Sequence, residues 1–131
     1  MREDAPTRME TVFPDESLDL PAPVHRAAEL ALERKAADVV ALDLRGISTA
    51  TDFFLIGCGS SDIHVRSIAD HVIDEMKKEG VRPGHVEGKE GGRWVLIDYI
   101  DFIVHVFHPS ARDFYQLETL WGDAPTRAFS D

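Results

Sequence analysis

Apolar positions recur along this chain at two periods, and the switches between them mark its elements. Val24, Ala27, Ala28 and Ala31, with Leu20 ahead of them, follow helical spacing and predict a helix over 22–37. Residues 38–44 read as a buried strand, and the polar run 45–52 as punctuation. Phe53–Cys58 is apolar throughout, as expected of a strand covered on both faces. Val65, Ile68, Ala69, Val72, Ile73 and Met76 keep the three-to-four rhythm of one helix face, from a start capped by Ser61 or Asp62 to a stop at Gly80. A short strand over 82–87 leads into the glycine-rich loop 88–92. Two β-type runs follow, opened by Trp94 and Phe102, rich in β-branched and aromatic residues and joined by a very short acidic turn. Ser110-Ala111-Arg112-Asp113 has capping-box form, with Asp in place of Glu or Gln. It opens a last helix carrying Ala111, Phe114, Leu117, Leu120 and Trp121, ended by Gly122.

This order predicts a single α/β domain, a mixed sheet of about five strands with flanking helices. The link between the last two strands is too short for anything but an antiparallel pair. The long helix after Phe53–Cys58 suggests a parallel crossover into the strand over 82–87. Residues 1–21, rich in Pro, Asp, Glu and Thr and without a period, are expected to form a disordered tail. The folded domain is expected over 22–122, and a flexible C-terminal tail over 123–131.

Charge narrows the function. Fourteen basic residues against twenty-four acidic ones give a net charge of −10, of which residues 1–21 carry −4. Nucleic-acid binders neutralise phosphates with Lys and Arg, so this balance has the wrong sign for contact with bare DNA or RNA. It suits a basic protein as partner. The single cysteine, Cys58, excludes an internal disulfide and reads as a small core residue. With no signal pattern and no apolar run near 20 residues, the chain is expected to be soluble and cytoplasmic, with no membrane contact.

Candidate chemistry clusters at the last hairpin. Trp94 opens its first run, Asp98 and Asp101 flank its turn, and His105 interrupts the second run on the side opposite Val104 and Val106. A tryptophan beside carboxylates reads as a surface that another protein grips. The alternative is a divalent metal on Asp98, Asp101 and Glu87, although Asp98 and Asp101 are misplaced for one strand face and no third ligand stands at a convincing spacing. The turn Gly57-Cys58-Gly59-Ser60-Ser61 joins a strand to a helix, but Asp62 occupies the place of the third glycine of a dinucleotide fingerprint, and its carboxylate repels an anion. Ser60, Ser61 and His64 lack an orienting partner for nucleophilic catalysis. No catalytic set, metal or cofactor is expected.

Several segments, in order and spacing, resemble the ribosomal silencing factor family, also called Iojap-like proteins. They are Ala41-Leu42-Asp43-Leu44-Arg45-Gly46, Thr51-Asp52-Phe53-Phe54-Leu55-Ile56, the helix with Ile68-Ala69-Asp70, and His85-Val86-Glu87-Gly88. Trp94-Val95-Leu96-Ile97-Asp98-Tyr99, Asp101-Phe102-Ile103-Val104-His105-Val106-Phe107 and Leu117-Glu118-Thr119-Leu120-Trp121 complete the series. The resemblance implies a nucleotidyltransferase-like fold without enzymatic activity, and homodimers. It implies binding to large-subunit ribosomal protein fourteen on the 50S subunit, a steric block of joining with 30S, and repression of translation when nutrients run short. Roles in large-subunit maturation are also implied. Trp94, Asp98, Tyr99 and Asp101 match the segment that contributes to the ribosomal-protein contact, with Glu87 as a weaker addition. Gly59-Ser60 is shared with nucleotidyltransferases, but the Asp-x-Asp/Glu of their metal site is missing. Family members often have Gly in the turn where this chain has Ile100, so a turn of different shape is expected.

Overall fold

The computed structural model describes residues 18–111 and 124–130. The expectations for residues 1–17, and for the last helix beyond Ala111, lie outside the described residues.

Helix α1 (Ala22–Glu33) ends four residues before the expected stop. Lys35 takes a left-handed conformation at φ 66°, and the Ala36 N–H turns back to the Ala31 carbonyl at 3.1 Å. That reversal frees Ala37 to start β1 (Ala37–Asp43), which carries an irregularity between Ala37 and Val40. Strand β2 (Phe53–Cys58) matches its expected bounds. Helix α2 (Asp62–Lys78) is capped as the sequence suggests, with Ser61 Oγ accepting from the His64 N–H at 3.1 Å. Strand β3 is only His85–Glu87, shorter than expected, because Pro83 has no N–H to give a ladder. Strands β4 (Trp94–Asp98) and β5 (Phe102–Phe107) form the antiparallel hairpin.

The flexible C-terminal tail is corrected: Thr126–Phe129 is a sixth strand, β6, antiparallel to β1. Thr126 and Ala124 are buried, and the Arg127 guanidinium lies over the Phe129 ring at 5.0 Å. The sheet runs β3-β4-β5-β2-β1-β6. Among the described residues its one parallel pair is β2 with β5. The crossover through α2 therefore leads to β3 at the sheet edge, two strands beyond the parallel neighbour β5. Through two antiparallel pairs and the parallel β2–β5 pair, β3 runs in the same direction as β2, as expected of a parallel crossover, without being its neighbour.

Strand periodicity divides the core in two. One sheet face, with Val39, Ala41, Leu55, Val95, Ile97, Val104 and Val106, meets the apolar sides of both helices. The other face carries a smaller cluster of Leu42, Leu44, Ile56, Cys58, Phe107 and Ala124. β2 is thus covered on both sides, and Cys58 is buried and in no disulfide. Gly59 is fixed by close approach, since a Cβ there would sit 2.8 Å from Val65 as α2 begins.

Candidate functional site

The hairpin register sorts the candidate residues. Glu87 pairs with Leu96, His85 with Asp98, Trp94 with Phe107, Leu96 with His105 and Asp98 with Ile103. Paired residues share a face. Glu87, Trp94 and Asp98 therefore lie on the sheet face away from α1 and α2, with His85, Leu96 and Ile103 among them. Trp94 is 39% exposed, a large apolar group open to solvent. Leu96, Asp98 and Ile103 are half-buried, and His85 and Glu87 are exposed. His85 Nε2 lies 2.6 Å from Glu87 Oε2. The result is an apolar strip flanked by carboxylates.

Tyr99 does not belong to this face. Its position continues the Val95, Ile97 alternation toward the helices, and its ring stacks on Phe102 at 4.8 Å within the main core. Only 7% of Tyr99 is exposed, and burial pushes its phenol up to about 12. The structure places its ring in the core rather than beside Trp94. The hydroxyl is buried with no hydrogen-bond partner among the described residues. Tyr99→Phe is accordingly expected to raise stability by about 1 kcal/mol, read by chemical denaturation, and to leave partner affinity unchanged.

Asp98 and Asp101 serve the turn differently. Asp98 Oδ1 accepts from the Ile100 N–H at 2.8 Å, while Asp101 is exposed at the tip. The Ile100 carbonyl accepts from Thr51 Oγ1 at 3.0 Å, and the Asp101 carbonyl accepts from the Asp52 N–H at 3.1 Å. The turn is thus clamped to the start of β2. Ile100 itself adopts φ 75°, the region that glycine prefers. Its side chain is 67% exposed, so little burial offsets the strain. Ile100→Gly is expected to stabilise the fold by about 0.5–1 kcal/mol, less than the left-handed penalty of about 1–2 kcal/mol because glycine is freer when unfolded. A thermal melt raised by a few degrees is the check.

A residue weighed only as a hydrogen-bonded semi-buried histidine completes the site. His105 is 4% exposed, and the Trp94 Nε1–H donates to its Nδ1 at 3.0 Å. Phe54 meets the His105 ring edge-on at 4.6 Å, and Trp94 leans on Phe107 at 5.0 Å. Burial lowers His105 to about 4, so it is neutral near pH 7 and able to accept at Nδ1. The diagonal relation of residues 94 and 105 follows from register, which the strand pattern alone leaves open.

The turn before α2 is built as structure. His64 Nδ1 accepts from the Ser60 N–H at 2.8 Å, and its Nε2 lies 2.6 Å from the Arg34 carbonyl. Both ring nitrogens thus tie loops together, with Ser60 Oγ 3.1 Å from Nδ1. Among the described residues no three His, Cys, Asp or Glu side chains converge as a metal site, and no helix is long and apolar enough to cross a membrane.

Residues 17–131 match the family model described as "Ribosomal silencing factor during starvation". The chain is 46% identical over 99 residues to the Bacillus subtilis ribosomal silencing factor, covering 76% of this chain and 84% of that one. A crystal structure of a Bacillus halodurans protein superposes with a TM-score of 0.71 at 43% identity, covering 79% of this chain and 93% of that one. A mouse protein named "Mitochondrial assembly of ribosomal large subunit protein 1" is 28% identical over 102 residues, covering 76% of this chain and 43% of that one. With the mixed sheet, helices α1 and α2 and the Trp94 hairpin in place, a match over nearly the whole length leads to one conclusion: this chain belongs to the ribosomal silencing factor family.

Proposed function

We propose that this protein is a silencing factor that works by binding. It docks on the large ribosomal subunit through ribosomal protein fourteen, occludes the surface that the small subunit needs, and lowers translation when nutrients are limiting. The observation that carries this reading is the half-exposed Trp94, on a sheet face that it shares with the carboxylates of Glu87 and Asp98. A tryptophan anchor supplies affinity, and surrounding carboxylates select a basic protein surface and speed encounter with it. The net charge of −10 favours the same class of partner. The activity is steric rather than enzymatic, and the protein acts in the cytoplasm, as a homodimer when free of the ribosome. The use of both His64 nitrogens as loop ties supports a non-catalytic role for the Gly59-Ser60 turn.

Sedimentation tests this directly. Purified 50S and 30S subunits are mixed with and without the protein and resolved on a gradient. Co-migration with 50S and loss of the 70S peak are expected. Migration with neither subunit would overturn the proposal and direct attention to nucleotide and metal binding. A second reading, large-subunit maturation, is favoured by the assembly role in the mouse relative's name. It differs in timing: a deletion strain would accumulate precursor particles.

A further inference from the structure

The His105–Trp94 pair bears on how the proposed contact surface is held. Trp94 sits where the glycine-rich loop enters β4. The backbone fixes its Cα: Gly88 runs too close to the Trp94 carbonyl to admit a Cβ, and Trp94 is in register with Phe107. Neither fixes the side-chain torsions. The 3.0 Å bond from Nε1–H to His105 Nδ1 does, together with packing on Phe107 at 5.0 Å, because it ties one edge of the indole to a buried ring. His105 is held edge-on by Phe54 and stacked against Phe107 at 6.0 Å.

Packing alone does not account for a histidine here. With Nδ1 accepting, the ring proton resides on Nε2, which is buried with no hydrogen-bond partner among the described residues. A buried donor left unmade is a cost that Leu or Phe at this position would avoid. What histidine adds over either is the acceptor for Trp94.

We infer that His105 is a positioning residue for the binding surface: its Nδ1 holds the Trp94 indole in the orientation in which the partner meets it. The inference rests on the Trp94 face being the contact surface. A fixed anchor binds more tightly because its rotamer entropy is lost on folding rather than on association.

The test uses the full chain and purified 50S subunits, with affinities measured for His105→Leu, His105→Asn, Trp94→Phe and the double variant His105→Leu with Trp94→Phe. His105→Leu is expected to weaken binding about fivefold while thermal stability holds or rises, a pairing of signs that lost packing does not produce. His105→Asn, whose amide oxygen takes the place of Nδ1, is expected to recover most of the loss. In the Trp94→Phe background, which has no N–H to hold, His105→Leu is expected to change affinity by less than about twofold. The Trp94 indole N–H resonance, assigned by its absence in Trp94→Phe, should shift and exchange faster with solvent in His105→Leu. Equal losses in both backgrounds, or an unmoved resonance, would overturn the inference. Full binding by Trp94→Ala would overturn the surface assignment itself, and is told apart from the first failure because the resonance still shifts. If His105→Leu does not fold, His105→Phe carries the same comparison.

Discussion

Replacing Trp94 with alanine and Asp98 with asparagine together is expected to abolish detectable binding to the large subunit while the fold survives. A truncated aromatic anchor typically costs about 2 kcal/mol or more, roughly 30-fold in affinity, and the lost carboxylate weakens attraction to a basic partner on top of that. Asparagine is the right partner substitution because Asp98 Oδ1 accepts from the Ile100 N–H at 2.8 Å, an acceptor that the amide oxygen retains. Lysine at this position would reverse the charge but release a turn already holding Ile100 at φ 75°. Trp94→Ala also removes packing on Phe107 and the bond to His105, so a lower melting temperature is expected alongside the lost binding. Since 39% of Trp94 is exposed, that cost stays below the value for a fully buried ring. Gradient sedimentation with 50S, with a thermal melt as the folding control, checks both halves. Undiminished co-migration would place the contact elsewhere on the molecule.

Acidification from pH 7 toward pH 4.5 is expected to destabilise the fold through His105. Burial lowers the folded-state value to about 4 from the ordinary 6.5, so the unfolded chain takes up a proton at this residue in a range where the folded chain does not. Stability therefore rises with pH across this window. The contribution is fully present above about pH 6.5 and is lost as pH falls toward 4. A shift of this size corresponds to about 3 kcal/mol between the two ends. Asp43, whose carboxyl is held below its usual range by the Arg45 guanidinium at 2.7 Å, acts in the same direction only at lower pH. Denaturant titrations at pH 7, 5.5 and 4.5 would show the fall, and His105→Leu should flatten it. Identical slopes in both proteins would mean that His105 carries its proton in the native state.

Strand positions legible as periodic runs came through closely, because burial on one or both faces leaves a direct mark in composition. Phe53–Cys58 has the expected bounds, and α2 starts at the Ser61 cap that its hydroxyl announces. Boundaries set by single backbone conformations were less legible. α1 stops early because Lys35 turns left-handed, a choice that lysine does not advertise. β6 was hidden because Thr-Arg-Ala-Phe is too short and mixed to declare itself, and becomes a strand through pairing with β1.

The candidate site divides along the same line. The sequence by itself determined the acidic balance, the hairpin, and the placing of His105 on the side opposite Val104, since a period of two assigns alternate residues of one strand to faces without further information. It also carried the family resemblance, through segments whose order and spacing survive in the fold. Which face points outward, and what each residue meets there, only the tertiary structure decided. The helices α1 and α2 cover the face of Val95 and Ile97, so Tyr99 is drawn into the core and Trp94 is left half-exposed. The register that sets Trp94 diagonally from His105 depends on a four-residue turn that keeps Ile100 at a conformation glycine would favour, held by Thr51 and Asp52 from a loop about fifty residues away in the chain. Contacts of that separation arise from packing, and local preference does not encode them.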